Sequence, residues 1–455
     1  MVKADAESFG GGSPHLYLPE FSVLGAYNKE RMFMKKNCST KWYWITAVSL
    51  FMVMMFNCGV GYYSLSLMVD PIAKSFGVTS GDMALIYTFY GVGSFAAAAL
   101  LHKSLKFIKL NHLILFGGVI SCVGYLLYAF AEYQWMLYLG GTLIGASTVF
   151  AGTATVQLAI ARWFHEKRSM ITGLVASASG LGAAAGSPVV GYLIRSFGWR
   201  TACMLIFSLV LVFVCIQVIF LLREQPDSIG LLPYGLQEGS VKAETPQAVV
   251  SEGVSLREVC LSVRFLLFVL GLAVTAVTYQ TITLYQSSFL LEKGFSAELA
   301  ATCLSVFAII DMSNKAAAGV LADRWGFRMV STYCGVALVG AFLLIRVIDS
   351  AVGAVFFSAL LGFWPTILVL YGVTVSINLF GKKYLSEYIS FTQIVMCCTS
   401  FVGMPIIRSL YNSVGSFDPI MDLLLGIVVV FLVVMNVLLR PANSFERYGK
   451  ENCEL

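Results

Sequence analysis

The feature that most constrains this chain is a succession of apolar runs, near 43–66, 83–101, 112–131, 135–161, 169–194 and 201–222, and again near 265–290, 297–320, 329–347, 351–377, 388–411 and 419–439. Most of these runs reach the roughly 20 residues that a helix needs to cross the hydrocarbon of a bilayer. With 58% hydrophobic residues, 12% charged residues and a mean hydropathy of +0.81, a water-soluble fold could not hide the apolar surface this chain carries. The expectation is an all-α membrane protein of about twelve transmembrane helices, in two six-helix bundles.

The segments follow from the same reading. Residues 1–41 are polar and glycine-containing, with no apolar core followed by a small-residue cleavage site, and read as a cytoplasmic N-terminal tail. The first bundle occupies 42–222 and the second 265–440, with 441–455 as a C-terminal tail. Between the bundles, 223–264 carries Arg223, Glu224, Pro226, Asp227, Pro233 and Pro246, a composition that ends helices and stays in water. Basic residues gather after the second, fourth, eighth and tenth runs (Lys103, Lys106 and Lys109; Arg162, Lys167 and Arg168; Arg324 and Arg328; Lys382 and Lys383) and are sparser in the opposite loops. The positive-inside rule then assigns those loops, the linker and both termini to the cytoplasm of a plasma-membrane protein. A weak repeat relates the halves: Gly186, Pro188, Ser196 and Gly198 recur with identical spacing as Gly403, Pro405, Ser413 and Gly415, although Ile194 faces Tyr411.

Several classes are disfavoured. The net charge of +5 is modest and the basic clusters lack interleaved aromatics, so nucleic acid is not an expected partner. Eleven scattered cysteines show no metal-ligand spacing, and no metal or other cofactor is expected. His102, His112 and His165 stand at loop edges without a hydrolytic grouping, and no phosphate-binding loop is present, so the chain reads as neither an enzyme nor a nucleotide-driven pump.

The most specific motif closes the eighth run: Gly319-Val-Leu-Ala-Asp323-Arg324-Trp-Gly326-Phe-Arg328. Gly319 allows close helix approach, Asp323 can face a neighbouring helix N-terminus, and Arg324 and Arg328 anchor the turn among headgroups. Here the chain resembles the major facilitator superfamily, whose signature takes this form between its second and third spans and again between its eighth and ninth. The first-half copy is degraded, with Lys103 about where the acid belongs, which implies a latch that is strong on one side only. In the fifth run, Gly182-x-x-x-Gly186-Ser-Pro188-x-x-Gly191 resembles the superfamily's glycine-proline helix and equally suits a plain packing face. Arg162-Trp163-Phe164-His-Glu-Lys167-Arg168, Gly230-Leu-Leu-Pro233-Tyr234-Gly235 and Asp311-Met-Ser-Asn314-Lys315 are similar to the monocarboxylate transporter and oxalate:formate antiporter branch.

Asp311 and Lys315 draw attention without any family. A charge at membrane depth costs about 2.5–3.5 kcal/mol on insertion scales and is normally paired and turned inward. Spacing of four residues puts both groups on one helix face, where they can meet. Tyr62, Tyr63, Tyr87, Tyr279, Gln280, Trp364 and Gln393, together with Asn57, Tyr90 and Tyr285, are polar-tipped residues that suit a pocket for a small polar solute. Monocarboxylate transporters also carry a first-span lysine and the oxalate antiporter an eleventh-span base, yet 43–66 and 388–407 hold no charge here. The resemblance therefore implies a secondary transporter of a small, singly charged organic anion, monocarboxylate-like, with protons as a candidate coupling ion. The alternative is a facilitator-type exporter of amphipathic or neutral compounds in which the Asp311–Lys315 pair is structural.

Overall fold

Serine caps and glycine turns divide the chain into the helices that the apolar runs foretell. Ser262 and Ser296 each accept a hydrogen bond from the backbone N–H three residues on, at 3.2 Å, and Ser350 accepts one from Gly353 at 3.1 Å. Each such cap satisfies an amide that the first turn leaves open. Gly326, at φ 81°, turns the chain directly from one long helix into the next, a backbone conformation that side chains resist.

In the computed structural model the described residues are 41–78, 83, 85–229, 231–235, 254–260, 262–381, 383–414, 416 and 418–439. The chain separates into a short unit, Met1–Trp44, and a large one, Ile45–Leu455. Of the first unit, residues 41–44 are described and are helical. The second unit contains α1 (45–76), α2 (Leu85–Phe107), α3 (Leu110–Ala129), α4 (Gln134–Trp163), α5 (Arg168–Phe197) and α6 (Trp199–Leu221). It continues with α7 (Val263–Glu292), α8 (Ala297–Trp325), α9 (Phe327–Val347), α10 (Ala351–Phe380), α11 (Leu385–Val414) and α12 (Asp418–Leu438). Among the described residues eleven helices are long and apolar enough to cross a membrane, and the thirty-residue α11 is of spanning length as well. These are the two six-helix bundles of an integral, multi-pass membrane protein.

Three departures from regular helix bear on function. The centre of α1, Met54–Tyr62, is π-helical, a wide turn that recurs at functional sites. The first apolar run ends near 66, yet the helix continues through Pro71 to Phe76, past the stretch that needs to be apolar. Both α4 and α10 are interrupted, at Ala151–Gly152 and at Gly362–Trp364. Irregular backbone at membrane depth requires partners from within the protein. Asn57 of α1 supplies one, donating to the Ala151 carbonyl at 2.9 Å, and Asn314 of α8 supplies the other, donating to the Phe363 carbonyl at 3.1 Å.

The linker is pinned at both ends. Tyr234 pairs with the α4–α5 turn, its N–H donating to the Trp163 carbonyl at 2.9 Å and its carbonyl accepting from His165 at 2.9 Å and Glu166 at 3.1 Å. At the far end Val254 donates to the Phe380 carbonyl at 3.1 Å and accepts from the Tyr388 hydroxyl at 3.0 Å, fastening the chain to the α10–α11 turn.

Candidate functional site

Asp311 and Lys315 stand one turn apart on α8 and meet as their spacing predicts, Lys315 Nζ donating to Asp311 Oδ2 at 2.7 Å. Their exposures are 9% and 7%, so the pair has left solvent. Asp311 Oδ1 is also buried and has no hydrogen-bond partner among the described residues. Asn314, between them in sequence, is turned the other way: besides Phe363 it donates to Thr366 Oγ1 at 2.8 Å and accepts from the Tyr333 hydroxyl at 2.9 Å. The charged pair is thus tied through one helix to the interruption of α10.

One tyrosine from each bundle lies within electrostatic reach of the pair. Tyr63 of α1 and Tyr279 of α7 are hydrogen-bonded side chain to side chain, and Asp311 is an electrostatic neighbour of Tyr63. Tyr279 is likewise within Coulombic reach of Lys315. The Tyr62 ring lies 5.3 Å from that of Tyr63 and 5.1 Å from that of Tyr90, and Tyr87 is within electrostatic reach of Tyr62. Tyr62, Tyr87 and Tyr279 are half-buried and Tyr63 is 36% exposed, so the tyrosines keep free surface beside a charged pair that has almost none. The π-helical turns of α1 deliver Tyr62 and Tyr63 to this position.

Other candidates lie elsewhere. Trp364 is fully buried in the core of the second bundle, its indole N–H donating to the Thr275 carbonyl at 3.3 Å and its ring against Phe431. Its place is set by the interruption of α10, and it packs there instead of lining the tyrosine cluster. Asn57 is committed to Ala151 and to Ser147, whose hydroxyl oxygen is 3.2 Å away. Gln280 and Gln393 are half-buried on α7 and α11. On α5, Gly182 packs against Gly59 and the Met55 carbonyl of α1, and Gly186 against Val60. A Cβ at Gly191 would meet nothing within 4 Å among the described residues, and Pro188 is held within the helix.

The bundles join along seams near the basic loops. At the first, α8 crosses the start of α5 so closely that a Cβ at Gly173 would collide with the Lys315 carbonyl, and one at Gly319 with the Ser169 carbonyl. Asp323 completes this seam: Oδ1 accepts from the Ser169 N–H at 2.9 Å and Oδ2 from the Met170 N–H at 2.8 Å, at the N-terminus of α5. Two charge-assisted bonds at a helix N-terminus are worth roughly 1–2 kcal/mol. Arg328 bonds Asn436 of α12 at 2.9 Å, Arg324 is exposed, and Gly326 makes the turn. Sequence reasoning missed two further seams. Gln157 of α4 donates to the Val369 carbonyl of α10 at 2.6 Å. Where the first-half motif lacks its acid, His102 of α2 contacts Glu387 at 3.5 Å and Ser386 at 3.4 Å in the first turn of α11. The polarity is reversed there, with the base on α2 and the acid on α11.

Twelve helices in two bundles, closed against each other on one face and enclosing a buried charged pair, define a membrane transporter of the two-bundle kind. A model of the Major Facilitator Superfamily matches residues 50–371, and the chain belongs to that superfamily. It is similar to monocarboxylate transporter 12 of Rattus norvegicus, at 25% identity over 353 residues that cover 73% of this chain and 72% of the rat protein. Among solved structures, the proton:xylose symporter XylE bound to 6-bromo-6-deoxy-D-glucose matches with a TM-score of 0.71 at 11% identity, covering 91% of this chain and 99% of that one. FucP in its outward conformation matches with a TM-score of 0.66 at 14% identity, covering 88% and 100%.

Proposed function

We propose that the chain is a secondary active transporter of a small organic anion, working by alternating access across a plasma membrane, with Lys315 contacting the substrate carboxylate and Asp311 governing its charge balance and any proton coupling. The observation that carries this reading is the buried pair, one of whose carboxylate oxygens has no hydrogen-bond partner among the described residues. A pair kept for packing alone gains nothing from an open acceptor, which costs about 1–3 kcal/mol when buried. The matched relatives, named as monocarboxylate transporters, support a carboxylate as the solute. The basic loops assign the sealed face, the linker and both termini to the cytoplasm. In this reading Asp323 latches that face, and the bundles rock about the Asp311–Lys315 pair once the latch releases.

Purified protein in liposomes preloaded with unlabelled monocarboxylates tests the proposal. Labelled acid is expected to exchange inward, with a pH gradient altering the rate if a proton is coupled. Exchange of neutral amphipathic solutes with none of carboxylates would overturn it.

A further inference from the structure

We infer that the preferred substrate of this site is a zwitterion, a small acid with a cationic hydrogen-bond donor beside its carboxylate, as in an α- or β-amino acid. The inference rests on reading Asp311 and Lys315 as the substrate site of a carboxylate carrier.

The first argument is charge. Spans 43–66, 83–101, 265–290, 351–377 and 388–407 contain no charged residue, so the buried pair is balanced by itself, one acid against one base. A bare anion entering such a place without an accompanying proton brings a net negative charge out of water, which is the costly case for a buried ion. A zwitterion brings no net charge.

The second argument is hydrogen bonding. An ionised carboxylate is acceptor-only, with about four lone-pair sites. Asp311 Oδ2 receives the Lys315 ammonium, while Oδ1 is buried and unfilled among the described residues. Tyr63, its electrostatic neighbour, is hydrogen-bonded to Tyr279 instead. A simple carboxylic anion has no donor to offer Oδ1, whereas an ammonium group has three.

The third argument is spacing. Lys315 Nζ and Asp311 Oδ2 are in contact at 2.7 Å, and Oδ1 belongs to the same carboxylate. A solute that sets its carboxylate on Nζ and its cation on Oδ1 must hold its own charges side by side, closing a head-to-tail square with the protein pair. Charge-assisted contacts of about 2.7–2.9 Å leave room for one or two carbons between the solute's charged groups. A longer spacer carries the ammonium past Asp311.

The test uses the full chain in liposomes and compares exchange of labelled propionate, lactate, alanine, β-alanine and 6-aminohexanoate. Alanine and β-alanine are expected to exchange at least tenfold faster than propionate and without response to a pH gradient. Lactate should fall between them, and 6-aminohexanoate should return to the propionate rate. Propionate or lactate matching alanine would overturn the zwitterion while leaving the carboxylate site standing, whereas failure of every carboxylate would defeat the underlying reading. Asp311→Asn should cut the alanine-to-propionate ratio at least tenfold, a ratio in which any general loss of active protein cancels. A ratio unchanged in that variant would remove Asp311 from recognition.

Discussion

A lysine and an aspartate that share one hydrogen bond inside a bilayer protein are each worth more to the fold as partners than either is alone. Removing one leaves the other buried and unpaired, a loss of roughly 3–5 kcal/mol. Lys315→Met and Asp311→Asn should therefore each lower the melting temperature of the purified protein. The double variant Asp311→Asn with Lys315→Met should recover most of that stability, because two neutral groups of similar volume replace the pair. Transport should stay at least a hundredfold down in the double variant, and thermal melts set beside liposome exchange check both halves of this. Recovery of carboxylate exchange along with stability would make the pair structural. The spacing of Asp311 and Lys315 made their contact legible from sequence, since a helix puts residues four apart on one face. The destinations of Asn57 and Trp364 were not legible. Both answer to interruptions in α4 and α10, at Ala151–Gly152 and Gly362–Trp364, which lie within otherwise continuous apolar runs.

At the scale of helices, the seam between α5 and α8 is held by backbone contact at Gly173 and Gly319 and by the Asp323 cap. Asp323→Asn keeps one acceptor and loses the charge, which should weaken the closed state by about 1 kcal/mol, or roughly fivefold in its population. Equilibrium substrate binding should survive while turnover falls several-fold, and a collapse of affinity at unchanged turnover would contradict the latch. The seam between α2 and α11 should answer to pH. His102 faces Glu387 across the seam at 3.5 Å and has Lys106 on its own helix as a Coulombic neighbour. A proton on His102 adds an ion pair between the bundles, so acidification on the basic face should hold that face shut and slow exchange. His102→Gln should remove that response to pH. Liposome exchange with internal and external pH varied separately would reveal it. The degraded motif gave no hint of this contact, because its partner lies nearly three hundred residues away.

For the whole molecule, the length and order of the apolar runs were enough to foresee twelve helices and two bundles, since a bilayer imposes both span length and complete backbone bonding. Sequence could not show what the linker does, because its contacts join stretches that are far apart in the chain. Phe164 and Tyr234 looked like parts of separate motifs, and they are one clasp. Tyr234 folds back onto the bundle it has just left, while Val254 is already fastened to the bundle it is about to enter. Each half of the chain thus owns its end of the connection. Two co-expressed fragments, cut between Ala243 and Glu244, should find each other in the membrane and exchange substrate at a rate comparable to the intact chain. A cut between Lys167 and Arg168, which severs a clasp and frees the N-terminus that Asp323 caps, should not be rescued.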